Sequence, residues 1–170
     1  GIPLAGTYYI KMESGDYRHD PGQYSLTTSF SAGTSTGFES ESNNTTSTAD
    51  TINSGSPIKG QLSSGSDIDY YKFTTSGSGS VSISLDTPTN SSFSDYFQLT
   101  LYDSNNNNLG QYETGKDLTA GLGIPLAGTY YLRVGSGYYH DPGQYSLTTS
   151  FTAGTSSGFE SESNDTTSTA

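Results

Sequence analysis

Apolar and polar residues alternate with a period of two along most of the chain. Val81, Ile83 and Leu85 share one side of VSISL, with serines opposite. Phe97, Leu99 and Leu101 repeat the pattern in YFQLTLY. Tyr130, Leu132 and Val134 alternate with Tyr131 and Arg133, and Tyr145, Leu147, Thr149 and Phe151 close the series. Successive strand residues point to opposite faces of a sheet, so each run predicts a half-buried β-strand. Weaker runs predict strands at 58–62, 68–73, 109–112 and 118–124. No window has useful helical amphipathicity.

Turn chemistry fills the gaps. SGSGS (76–80) and DSNNNN (103–108) read as hairpin-type loops, and HDPG (140–143) as a turn between the last two strands. AGTYY follows Pro125 and enters a strand. About eight short strands in roughly 110 residues predict an all-β fold, an antiparallel β-sandwich.

The chain also repeats itself. The stretch opening at Gly1 returns at 123–170, with 40 of 48 aligned residues identical and one gap at Arg18. The offset is 122 at Gly1/Gly123 and 121 at Asp20/Asp141. That period suits a small domain, not a solenoid turn. The expected organisation is therefore a window on a tandem array. Residues 1–30 read as the last two strands of a preceding repeat and 31–38 as a linker. Residues 39–151 read as one complete sandwich with an acidic linker at its start. Residues 152–170 read as the next linker.

Composition narrows the partners. The net charge is −11 with six Lys+Arg, so no basic stripe exists to neutralise a nucleic-acid backbone. The same balance argues against an anionic membrane surface, and no stretch approaches a membrane span. With no cysteine there is no thiolate chemistry. Soluble cations remain as partners, against the plainer reading that the acidity serves solubility.

Spacing gives the acidity a candidate purpose. In an extended chain Glu39, Glu41 and Asn43 line one side, about 7 Å apart. Asp67-Ile-Asp69 repeats the spacing where a strand begins, and parity places Asp69 on the side of Tyr71 and Phe73. A set of carboxylate and amide oxygens suits Ca²⁺, which takes six to eight oxygen ligands. It suits Zn²⁺ poorly, and Mg²⁺ demands a tighter octahedron. Solvated surface charge is the plainer alternative.

The order of motifs carries a resemblance. It runs E-x-E-x-N-[ND]-T, an alanine, I-x-G-x-L, D-x-DYYxF, V-x-I-x-L, LYDSN, AGTYYLRV and GQYSL. Over about 39–151 this resembles the bacterial pre-peptidase C-terminal domain, a family related to the collagen-binding domains of clostridial collagenases. The resemblance implies a jelly-roll-like sandwich of the kind appended to secreted proteases and adhesins. In calcium-binding members the acidic linker folds back over the sheet. On that basis Glu39, Glu41, Asn43 and Asn44 would be linker ligands, Asp67 and Asp69 strand ligands, and Gly60 and Gln61 would offer backbone carbonyls. Asn44 stands where the motif usually carries Asp, which the later copy keeps as Asp165. In the collagenase domains the second acidic residue before the tyrosines falls one position earlier, so Asp67 matches less closely than Asp69. Glu160, Glu162, Asn164 and Asp165 would form half of a further site, completed by another repeat.

Other motifs carry less. His19 and His140 precede Asp-Pro-Gly in equivalent turns and read as turn residues, not catalytic ones. Tyr102, Tyr131, Tyr138 and Tyr139 are a candidate ligand platform, with rim tyrosines of a small sandwich as the plainer reading. The stretch after AGTYY reads Val134-Gly135-Ser136-Gly137 and lacks the tyrosines that the related domains use for collagen. The expected function is a non-catalytic, calcium-stabilised spacer of a secreted or cell-surface bacterial protein, of adhesin or fibre type. Its partners would be neighbouring repeats or identical chains, by strand donation or head-to-tail assembly. The alternative is a glycan- or protein-binding module that targets a secreted enzyme.

Overall fold

A computed structural model describes residues 7–14, 22–30 and 37–154. Nine strands form among them: β1 (Asp50–Thr51), β2 (Ile58–Gly60), β3 (Ile68–Thr75), β4 (Gly79–Asp86), β5 (Phe97–Tyr102), β6 (Asn108–Thr114), β7 (Leu118–Ile124), β8 (Gly128–Ser136) and β9 (Tyr145–Ala153). They build two sheets. One has the order β1-β3-β8-β5-β6 and the other β2-β9-β4-β7. The all-β sandwich expected from alternation is the observed fold, and no helix occurs among the described residues.

The alternation does the folding work. The inward residues Tyr71, Phe73, Leu99, Leu101, Leu132 and Val134 of the first sheet meet Val81, Ile83, Leu85, Tyr145 and Leu147 of the second. All are 5% exposed or less. Burying each such side chain contributes about 1.5–3 kcal/mol before ordering entropy is counted. The last two strands in the chain lie inside the sheets, one in each. β8 lies between β3 and β5, and β9 lies between β2 and β4.

One expectation needs correction. SGSGS is not a hairpin loop, because β3 and β4 belong to different sheets and the segment crosses between them. HDPG lies, as expected, between the last two strands, β8 and β9, where the chain also changes sheet. There Asp141 is buried, accepting from Thr89 Oγ1 at 2.7 Å and from the Gly143 amide at 2.8 Å. The strand pairings are antiparallel, as expected, except at one edge. β1 is only two residues long and pairs in parallel with β3, Asp50 opposite Tyr71. DSNNNN does close a hairpin, between β5 and β6. Asp103 accepts from the amides of Asn105 and Asn107, and Asn106 takes the left-handed conformation that asparagine tolerates (φ 62°).

Residues 7–14 and 22–30, read as two orphan strands, form no strand and are exposed along their length.

Candidate metal centre

The linker reaches the sandwich beside β2. The Glu39 amide donates to the Lys59 carbonyl at 2.9 Å, and the Lys59 amide donates to Gly37 at 3.0 Å. Phe38 thus sits in parallel register with Lys59. Four residues on, the Tyr70 amide donates to the Asn43 carbonyl at 2.9 Å. The acidic stretch therefore spans from one sheet to the other across the open end of the sandwich. Parity then turns Glu39 and Asn43 inward, both buried, with Glu41 half-buried between them.

Asp69 meets them from β3. It is fully buried, and one ligand atom each from Glu39, Glu41 and Asp69 lie within 4.8 Å of one another. The two tyrosines below complete the site. Tyr71 donates to Glu39 Oε2 at 2.8 Å, Tyr145 donates to Asp69 Oδ2 at 2.5 Å, and the two phenol oxygens are 2.6 Å apart. Glu39 Oε1 accepts from the Gln61 amide at 2.6 Å. Gly60 is required here, because a Cβ at that position would collide with both tyrosine hydroxyls.

Electrostatics forbids three full charges in this arrangement. Two unit charges about 5 Å apart repel by roughly 3 kcal/mol at an effective dielectric of about 20. Burial pushes the Asp69 carboxyl up to about 9, reinforced by the negative charges of Glu39, Asp67 and Glu41 and opposed by the Tyr145 hydroxyl. Burial also raises Glu39, against hydrogen bonds from Tyr71 and Gln61 that favour its charged form. Glu41 is raised by burial and by the charges of Asp67 and Glu39. Both phenols are raised well above their usual value, burial first and the neighbouring charges after it.

Proton counting agrees. Glu39, Tyr71, Tyr145 and Asp69 make a row of three short oxygen–oxygen contacts, and the phenols bring two protons. With both carboxylates charged, the phenol–phenol contact has no proton. One extra proton, on Asp69, satisfies all three contacts: Asp69 then donates to Tyr145, Tyr145 to Tyr71 and Tyr71 to Glu39.

Three further buried oxygens stand apart from this row. Glu41 Oε1, Asn43 Oδ1 and Asp69 Oδ1 are buried without a hydrogen-bond partner. Such orphaned acceptors are costly in a protein interior. All three are acceptors and none is a donor, which is the inventory a hard cation requires. No Lys or Arg forms an ion pair with them among the described residues.

The structure sorts the expected ligands. Glu39, Glu41, Asn43 and Asp69 come together. Asn44 does not, because the parity that buries Asn43 turns Asn44 to solvent, beside Tyr70 and Tyr102. Asp67 also stays outside the triad. Its Oδ2 accepts from the Ser63 amide at 2.6 Å and its Oδ1 from the Ile68 amide at 2.9 Å, so it pins the turn before β3. Gly60 and Gln61 lie beside Glu39, with the Gln61 amide already engaged. Glu160, Glu162, Asn164 and Asp165 lie outside the described residues, as does His19. His140 is a packing residue, its Nε2 2.9 Å from the Leu62 carbonyl. The tyrosine platform divides in two. Tyr102 faces Tyr131 across β5 and β8. Tyr138 and Tyr139 stack edge to face at 4.9 Å beyond the other end of β8.

Sequence reasoning missed Asp50. It accepts from the Ser40 amide (2.8 Å), the Ser40 hydroxyl (2.6 Å) and Asn43 Nδ2 (3.3 Å). Asp50 thereby fixes the backbone between Glu39 and Glu41 and holds the Asn43 amide by its nitrogen, leaving its oxygen unpartnered.

Residues 67–136 match the family model of the bacterial pre-peptidase C-terminal domain. That span runs from Asp67 to the end of β8. Among solved structures, the chain is similar to the crystal structure of the pre-peptidase C-terminal domain of collagenase from Bacillus anthracis. The two are 24% identical over 59% of this chain and 93% of that one, with a TM-score of 0.48. No curated protein matches the chain.

Proposed function

With residues 67–136 as a pre-peptidase C-terminal-type sandwich, we propose that this chain is a non-catalytic structural module whose acidic linker is locked by Ca²⁺. The observation that carries the reading is the set of orphaned buried oxygens on Glu41, Asn43 and Asp69. They converge with Glu39 from two separate segments, the linker and β3. A divalent cation there neutralises the carboxylates, uses the unpaired acceptors and ties the linker to the sheet. Glu39, Glu41, Asn43 and Asp69 hold it; Tyr71 and Tyr145 steady two of the carboxylates from below.

Binding to the folded state alone stabilises by RT ln(1 + [L]/Kd). For a dissociation constant on the order of 0.1–1 mM at millimolar calcium, that is roughly 0.5–1.5 kcal/mol. The gain is modest for a domain. Its effect falls on the linker, which becomes a fixed joint instead of a mobile one. Such a joint suits a spacer outside the cell, where calcium is millimolar and the lack of cysteine is no handicap. We assign the module to a secreted or cell-surface bacterial protein on that basis.

Isothermal titration of the chain with CaCl₂ tests the proposal. Saturable binding near one ion per chain, lost in Asp69→Asn and Glu41→Gln, is expected. No heat, together with an unfolding temperature unchanged by EDTA, would overturn it.

A further inference from the structure

One sequence pattern occurs in two environments. Residues 7–14 match 129–136 of β8, and residues 22–30 match 143–151, which hold most of β9. In the later copy the inward side chains Tyr130, Leu132, Val134, Tyr145 and Leu147 are all 4% exposed or less. Their counterparts Tyr8, Ile10, Met12, Tyr24 and Leu26 are 52–72% exposed. Phe30, the counterpart of Phe151, is 72% exposed. Five substantial apolar side chains and the pattern that buries them are present twice, and the structure shows what surface fits them.

We propose that residues 7–14 and 22–30 of one chain enter the sandwich of a second copy, in the places of its β8 and β9. All but one of the buried positions in the slot have a fitting occupant. Tyr8, Tyr24, Leu26 and Phe30 repeat the resident side chains, and Ile10 replaces Leu132. Lys11 takes the place of Arg133, whose Nη1 donates to Gln98 Oε1 at 3.0 Å. Glu13 takes the place of Gly135, two residues from Lys11 on the same segment, with which it already forms an ion pair. Tyr24 brings the hydroxyl that Tyr145 gives to Asp69, so the incoming chain completes the carboxylate cluster of its host.

The topology permits the exchange. β8 and β9 follow all other strands and connect to them through one segment, 125–127, where Leu126 is 55% exposed. They can leave together without unthreading another strand. Met12 in place of Val134 overfills a fully buried position, so the resident strands win at low concentration and exchange grows with protein concentration. The contact is heterologous: a chain that accepts at its slot still offers its own residues 7–30. Repetition gives head-to-tail chains of copies.

Register makes this testable in the full chain, which has no native cysteine. Tyr131 of β8 stands opposite Lys72 of β3 and Tyr102 of β5. Its counterpart is Tyr9, 91% exposed. Under mild oxidation, Tyr9→Cys combined with Lys72→Cys, or with Tyr102→Cys, should give disulfide-linked dimers and longer ladders. Their yield should rise with protein concentration. Tyr9→Cys with Gln111→Cys, on β6 and away from β8, should not. Ile10→Asp added to either cognate pair should abolish the ladder while leaving the unfolding temperature unchanged. Links formed only within one chain, equal linking to Cys at 111, or a ladder indifferent to Ile10→Asp would each overturn the exchange. Running the series in EDTA separates it from the calcium reading, because pairing depends on register and not on the cation.

Discussion

Ser40 and Asp50 clasp each other with two hydrogen bonds: the Ser40 amide donates to one Asp50 oxygen and the Ser40 hydroxyl to the other. Ser40 lies between two carboxylates of the proposed cation site, so the clasp sets their spacing. Asp50→Ala should weaken calcium binding about 10–100-fold, the usual effect of losing a partner that orients ligands. Melting in EDTA should fall by less than it does for a core truncation, since about 1 kcal/mol is typical for each hydrogen bond lost. Titration calorimetry on both proteins reads the first effect; an unchanged affinity would show that the clasp does not position the ligands.

Gly60 underlies the two tyrosine hydroxyls. Gly60→Ala forces a methyl group into them and should destabilise the fold by about 1–3 kcal/mol. It should also reduce calcium affinity, because Tyr71 and Tyr145 steady Glu39 and Asp69. Urea unfolding and calcium titration of the variant measure both effects; a variant that unfolds like the wild type would contradict the packing described.

The raised Asp69 carboxyl gives a pH signature. Its folded value, about 9, lies above the unfolded value of 3.8. Between those limits the folded state holds a proton that the unfolded state has lost. That contribution is complete below about pH 4 and is lost as pH rises through 9. In EDTA the unfolding temperature should therefore fall between pH 5 and pH 8, and Asp69→Asn should flatten the slope. Calcium must displace the same proton, so its apparent affinity should rise with pH over this range. Calorimetry in two buffers of different ionisation enthalpy would reveal the released proton.

Equivalent substitutions in the two copies should behave differently. Leu132→Ala empties a fully buried position and should cost about 2–5 kcal/mol. Ile10→Ala, at an exposed residue, should change unfolding by less than about 0.5 kcal/mol in dilute solution. Chemical denaturation at low micromolar concentration compares them directly.

Period-two patterning made most of the sheet legible, because inward residues such as Ile83, Leu99 and Leu132 alternate with polar ones. It also placed Glu39, Asn43 and Asp69 on their correct sides. It failed where geometry is not periodic. β1 is two residues of a Thr/Asp run, held only by pairing with β3, so Asp50 gave no signal. Tyr71 and Tyr145 read as core aromatics, and nothing in a linear pattern says that their hydroxyls meet 74 residues apart in sequence. Parity alone puts Asp67 and Asp69 on one side in D-x-D, and only the resemblance separated them. Only the fold shows that one pins a turn while the other faces the carboxylates.

The central placement of β8 and β9 has a consequence for synthesis. A chain leaving the ribosome completes β1 to β7 first, yet neither sheet can then close, because each has a one-strand gap in its middle. The nascent domain waits with both gaps open until Gly128–Ala153 has emerged. Tyr145 is among the last residues to arrive, so the carboxylate cluster cannot form ahead of the fold, and a cation held there reports a finished domain.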